Sequence, residues 1–198
     1  MTQERLAREI EARDREFRFR SGRLCLDFVA TVGDRAHLAF DRWGGEDDFG
    51  RWCEEASLLA ERIAIRPNQL KLARHLREAI YRLVRSSLDG TKPRNVDLES
   101  LNQLASRPTL IPQLKAIGAA VAQTSPAPFQ AVLSAIARDA IDLLSGPQRH
   151  RIRECADENC SILFVDTSRP GKRRWCAMSG CGNKVKKASF RERQRSVL

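Results

Sequence analysis

Histidine occurs three times in this chain of 198 residues, at His37, His75 and His150, and nowhere in the H-E-x-x-H spacing that holds an open catalytic zinc. Glycine-rich phosphate loops and nucleophile-elbow turns are missing too, so the expectation is a protein that is not an enzyme. No stretch reaches the roughly 18 consecutive apolar residues of a membrane span, which excludes such a helix and argues against a membrane partner. Residues 1–20 are crowded with Glu and Arg and lack the apolar segment of a secretory signal. The expected compartment is therefore the reducing cytoplasm, where cysteine pairs bind metal more readily than they form disulfides. There is no internal repeat, no low-complexity linker and no heptad seam, and the oligomeric state is left open.

Acidic residues are scarce in one place. From Arg149 to Leu198 there are thirteen Lys or Arg against five Asp or Glu, a net of +8, whereas the rest of the chain holds 22 basic and 20 acidic groups. Nearly all of the formal +10 therefore sits in the last fifty residues. The apolar share of 42% is that of an ordinary globular protein.

The pattern upstream is mainly helical. Asp47 is placed to cap a helix carrying Phe49, Trp52, Cys53, Ala56, Ala60 and Ile63 on one stripe. Pro67 suits the first turn of the next helix, whose apolar face runs from Leu70 to Val84 and stops at Asp89-Gly90. A shorter helix carries Leu98, Leu101 and Leu104. The stretch from Leu110 to Gln123 reads as a β-hairpin around Gly118. The strongest helix is expected to start at Ser125-Pro126 and end at Gly146-Pro147. Glu16 to Arg20 alternates as a short strand would, while Leu24 to Val29 fits either a buried strand or the first turns of a helix. Cys25 and Cys53 read as core packing. Asp139 and Asp142 read as a solvated helix face rather than an acid–base pair. The fold class is thus α+β, mainly α, with a helical domain over 1–147 and short β-hairpins, followed by a small zinc-held unit over 148–198.

That unit carries Cys155-x4-Cys160 and Cys176-x4-Cys181, fifteen residues apart. Two thiol pairs at hairpin separation describe one tetrahedral, structural Zn²⁺, because four sulfurs close the coordination sphere and leave no position for substrate. Ile162 to Val165 is expected to run out from the first pair and Arg174-Trp175-Cys176 to return beside it, with a helix from about Gly182 onward. Knuckle, hairpin and helix in that order make a treble-clef finger. Lys184, Lys187, Arg191 and Arg195 fall on one stripe of that helix, and Lys172, Arg173 and Arg174 form a second basic cluster. Like charges so placed repel, and a polyanion relieves them. These seven residues are the candidates for phosphate contact on duplex DNA, with Arg173, Arg174 and Asn183 also able to reach base edges.

The same residues resemble a known family. Leu-Phe-Val-Asp-Thr-Ser at 163–168, Arg-Arg-Trp-Cys at 173–176 and Cys-Gly-Asn-Lys at 181–184 are similar to the CGNR zinc finger. Leu-Cys-Leu-Asp-Phe-Val-Ala-Thr at 24–31 and the segment 136–144 resemble the ABATE domain that precedes it. The resemblance implies a two-domain, stress-related bacterial transcription regulator, cytoplasmic and nucleoid-associated, with a DNA-binding finger and an N-terminal domain that takes an unidentified small ligand, for which Asp27 and Thr31 are the candidates. Two positions depart from the family pattern. Lys184 replaces the name-giving arginine, keeping charge but losing bidentate recognition. Ala30 stands where the family usually has Asn. An RNA-binding module and a protein-interaction adaptor with a purely structural finger are the alternatives.

Overall fold

The computed structural model describes residues 16–37, 39–114, 116–117, 122–184, 186–187 and 194. Five α-helices lie wholly within this part: α1 (Leu24–Val29), α2 (Glu46–Glu55), α3 (Pro67–Asp89), α4 (Asn95–Ala105) and α5 (Pro128–Ser145). Three two-stranded antiparallel pairs accompany them: β1 (Val32–Gly33) with β2 (Phe40–Asp41), β3 (Ile111–Gln113) with β4 (Ala122–Thr124), and β5 (Ile152–Glu154) with β6 (Leu163–Val165). The fold is α+β and mainly helical. Among the described residues no helix is long and apolar enough to cross a membrane.

α3 forms as its periodicity predicts. Pro67 opens it, the Arg66 N–H donates to Gln69 Oε1 at 2.8 Å, and Gly90 closes it in the left-handed region at φ 65°, where a Cβ would be strained. α4 and α5 pack against it, burying Leu76, Ile80, Leu101, Ile136 and Leu143.

Four local expectations are corrected. Glu16 to Arg20 is irregular rather than a strand. α2 begins at Glu46 after Gly45 and ends at Glu55, short of Ala60 and Ile63. The reason is tertiary: the chain doubles back over α2, bringing the Ile63 carbonyl so close to Gly50 that any Cβ there would collide with it. α5 starts at Pro128, two residues late, because Ser125 Oγ instead accepts the Ala127 N–H at 3.1 Å in a local turn. The fourth concerns Asp139 and Asp142, which are not a simple solvated face. Both grip the Arg23 guanidinium, and Asp139 also accepts the Cys25 N–H at 2.8 Å. That carboxylate satisfies an orphan donor in the first turn of α1, which settles Leu24–Val29 as helix. The β3–β4 pair is a hairpin as expected, with Gly118 outside the described residues.

The main core centres on Phe28, Trp43, Phe49 and Trp52, whose rings meet edge to face with centroids 5.3–6.3 Å apart. Cys25 and Cys53 are fully buried in it, and burial pushes both thiols up, away from the reactive thiolate. Beside it Arg77, only 3% exposed, holds Asp41 through two hydrogen bonds at 2.8 and 2.9 Å and donates to Thr31 Oγ1 at 3.1 Å. Burial alone would raise the Asp41 carboxyl, but the Arg77 bonds overcome it and hold the group below its ordinary value.

Candidate metal centre and basic surface

The chain leaves α5 through a 3₁₀ turn, Pro147–Arg151, and enters β5 directly. Ile152 faces Val165, Arg153 faces Phe164 and Glu154 faces Leu163. The strand partner of Leu163–Val165 is thus β5, upstream, and not Arg174–Cys176, which correct a sequence expectation by remaining irregular. The turn of this hairpin is the first cysteine loop. Its Cys155 N–H donates to the Ile162 carbonyl at 3.0 Å, its Cys160 N–H to the Asp157 carbonyl at 2.8 Å, and its Asn159 N–H to Asp157 Oδ1 at 3.2 Å.

The second cysteine loop is brought alongside by Asp166. This fully buried carboxylate accepts the Ser168 N–H, the Ser168 hydroxyl and the Arg173 N–H at 2.9, 2.6 and 2.8 Å. The Ser168 hydroxyl bond leads in holding its carboxyl below the ordinary value despite burial. The Ala156 N–H then donates to the Arg174 carbonyl at 2.9 Å, and the Cys176 N–H to Cys155 Sγ at 3.4 Å. A wide turn over Met178–Gly182 presents Cys181. The role of Asp166 is not legible in the sequence. An acid ending an apolar run, Leu-Phe-Val-Asp, was the only signal.

All four sulfurs of Cys155, Cys160, Cys176 and Cys181 lie within 4.8 Å of one another, and each residue is buried. Two edges measure 3.8 Å (Cys160–Cys176) and 3.7 Å (Cys176–Cys181). A disulfide would need about 2.05 Å, whereas metal–sulfur bonds of about 2.3 Å set tetrahedral edges of about 3.8 Å. The geometry therefore fits one metal ion. Electrostatics agrees. Hydrogen bonds from Cys160, then Cys176, pull the Cys155 thiol far down, while the same contacts push Cys160 and Cys176 up, and burial does so for Cys181. Thiolates this close repel, so joint ionisation of all four calls for a cation among them.

The proposed basic contacts are divided by the structure. Lys172, Arg174, Asn183, Lys184 and Lys187 are exposed, and Asn183, Lys184, Lys186 and Lys187 are helical. Arg174 lies over the Trp175 ring, 4.8 Å from its centroid. Lys184 approaches Asp157 Oδ1 at 3.5 Å while its side chain stays 59% exposed. Arg173 turns inward instead. It donates to the Trp175 and Cys176 carbonyls and stacks on Phe164 with its guanidinium carbon 4.7 Å from the ring centroid. Arg191 and Arg195 lie outside the described residues.

Asp27 and Thr31 make internal bonds. Asp27 Oδ1 accepts the Arg20 and Ser21 N–H groups at 3.0 Å each and the Ser21 hydroxyl at 2.6 Å. Burial nevertheless raises the Asp27 carboxyl above its ordinary value. Thr31 Oγ1 donates to the Phe28 carbonyl at 2.7 Å and accepts from Arg77. Ala30 packs against the cysteine cluster itself.

Two family models match the chain. ABATE, described as "Putative stress-induced transcription regulator", covers residues 22–147, and the CGNR zinc finger covers 151–194. No curated protein matches the chain.

Proposed function

We propose, since the chain belongs to the ABATE family and ends in a match to the CGNR zinc finger, that it is a zinc-dependent, DNA-binding transcription regulator. The observation that carries this reading is a buried four-sulfur cluster of tetrahedral size inside a segment with a net charge of +8. Zn²⁺ is the ion that such a closed thiolate set suits best, and its place there is structural. Bound by four thiolates it subtracts two charges from the segment, which remains strongly basic. The unit is read as a treble clef in which β5 and β6 flank the first knuckle and the helix carrying Asn183, Lys184 and Lys187 lies against phosphates. Arg173, turned inward, shapes the second knuckle rather than reading DNA. The helical domain is the part that receives a small ligand, the chain catalyses no reaction of its own, and its working place is the cytoplasm, at the nucleoid.

The test is a titration of zinc-loaded protein against a pool of random duplexes at several salt concentrations. Lys184→Glu combined with Lys187→Glu should weaken binding and flatten the log–log salt slope by roughly two, one per lost phosphate contact. Tight binding with an unchanged slope would sink the reading. Preference for structured RNA over duplex DNA would transfer it to RNA, and binding that vanishes near physiological salt would favour a protein-interaction adaptor.

A further inference from the structure

A cavity of about 540 Å³ opens where the end of α3, the start of α4 and the end of α5 meet β5. This lies within the roughly 300–1,000 Å³ of small-molecule sites. Leu83, Leu144 and Ile152 give it an apolar wall beside Ser86, Ser87 and Thr91, while Leu98, Arg149 and Arg153 are exposed at its rim. Among the described residues no Asp or Glu lines it. The acids closest in sequence are engaged elsewhere, since Glu154 and Asp89 both take Arg85, at 2.6 and 3.0 Å. Among the described residues neither Arg149 nor Arg153 meets a carboxylate. Among these residues Arg153 donates to the His150 and Ile152 carbonyls, which leaves its charge without a carboxylate partner there.

A cavity with an apolar wall and an uncompensated cationic rim selects a ligand with an apolar body and one anionic end. We propose that this cavity binds an amphipathic carboxylate, its hydrocarbon part against Leu83, Leu144 and Ile152 and its carboxylate between Arg149 and Arg153. The site draws residues from α3, α4 and α5 on one side and from the 147–151 turn and β5 on the other. Cys155 follows β5 by one residue, so an occupant touches the strand that leads into the metal cluster. The proposal names the ligand class for the helical domain's receiving role and in that respect rests on the function proposed above; its test uses no DNA, so either idea can fail without the other.

Octanoate, titrated into zinc-loaded full-length protein, serves as the probe, with octan-1-ol as its neutral twin. Calorimetry should show saturable octanoate binding, and amide shifts in NMR should concentrate on residues 86–91 and 149–153. Arg149→Glu with Arg153→Glu should weaken octanoate at least tenfold, and Leu98→Glu, from the apolar edge of the rim, should do the same; unchanged zinc content and tryptophan emission show that each variant is folded. Octan-1-ol binding as tightly as octanoate, shifts centred elsewhere, or full octanoate affinity in the folded variants would each overturn the proposal.

Discussion

The core of the helical domain and the core around the cysteines are built from different material. The first packs Phe28, Trp43, Phe49 and Trp52 with leucines and isoleucines from α3 and α5 and buries them completely. Among the described residues the second has seven buried members, four of them the sulfur residues, the others Ala30, Ile162 and Phe164. Apolar burial at about 25 cal/mol per Å² can hold the first, but so small a cluster lacks the area, and the proposed metal among its sulfurs would supply the difference. The two cores nevertheless share a strand. Along β6, Leu163 and Val165 belong to the helical core while Phe164, between them, belongs to the cysteine cluster. Alternation along a strand thus makes one three-residue element a wall common to both. The Val165 N–H donates to the Ser21 carbonyl at 2.8 Å, and the Arg35 N–H donates to Ser161 Oγ at 2.7 Å, fastening the same seam.

Removing the metal is the harshest way to break this comparison. Chelation, or Cys176→Ser, should unfold the cysteine core outright, a loss of several kcal/mol where isolated zinc-finger peptides draw about 10–16 kcal/mol from their ion. Metal release followed with a chromogenic chelator, beside emission from Trp43 and Trp52, would show whether the helical core survives. Survival with a lowered Tm is expected, because only the β6 wall is lost to it.

The next test separates the faces of β6. Phe164→Ala should cost about 3–5 kcal/mol and Leu163→Ala about 2–5 kcal/mol in urea unfolding. Phe164→Ala should weaken metal retention far more than Leu163→Ala does. Equal metal loss in both would show that the two cores unfold as one unit.

Asp166→Asn is a gentler probe, since one of its three accepted bonds must be lost or reversed. A cost of about 1–3 kcal/mol is expected, read as a lowered Tm and faster metal exchange with the helical core intact.

The smallest effect is confined to the helical side. Hydrogen bonds from Arg82, at 2.6 and 2.9 Å, hold the buried Asp97 carboxyl below its ordinary 3.8. The stability it contributes is complete above that value and drains as pH falls through the lower folded value. Asp97→Asn should therefore cost about 1–2 kcal/mol at pH 7 and flatten the acid limb of the Tm–pH profile below about pH 4 without changing metal content.

Periodicity made α3 and α4 readable, and most of α5, because an apolar stripe is a property of neighbours along the chain. The spacing of Cys155, Cys160, Cys176 and Cys181 was readable for a similar reason: ligand pairs on tight loops are local, and one ion needs four of them. The basic balance of the last fifty residues needed only counting. The rest waited on contacts between distant residues. Asp139 made α1 a helix by accepting the Cys25 N–H from 114 positions away. The returning chain over Gly50 ended α2. β5, rather than Arg174–Cys176, became the partner of β6, and Arg173 became an internal strut instead of a surface charge. Composition and spacing thus determined that this protein is a helical domain with a four-cysteine, cationic end, while tertiary structure decided that the two ends share a strand. The physical reason is range: stripes and ligand loops act over a few residues, whereas a buried donor, acceptor or ring must be satisfied by whichever partner folding brings to it.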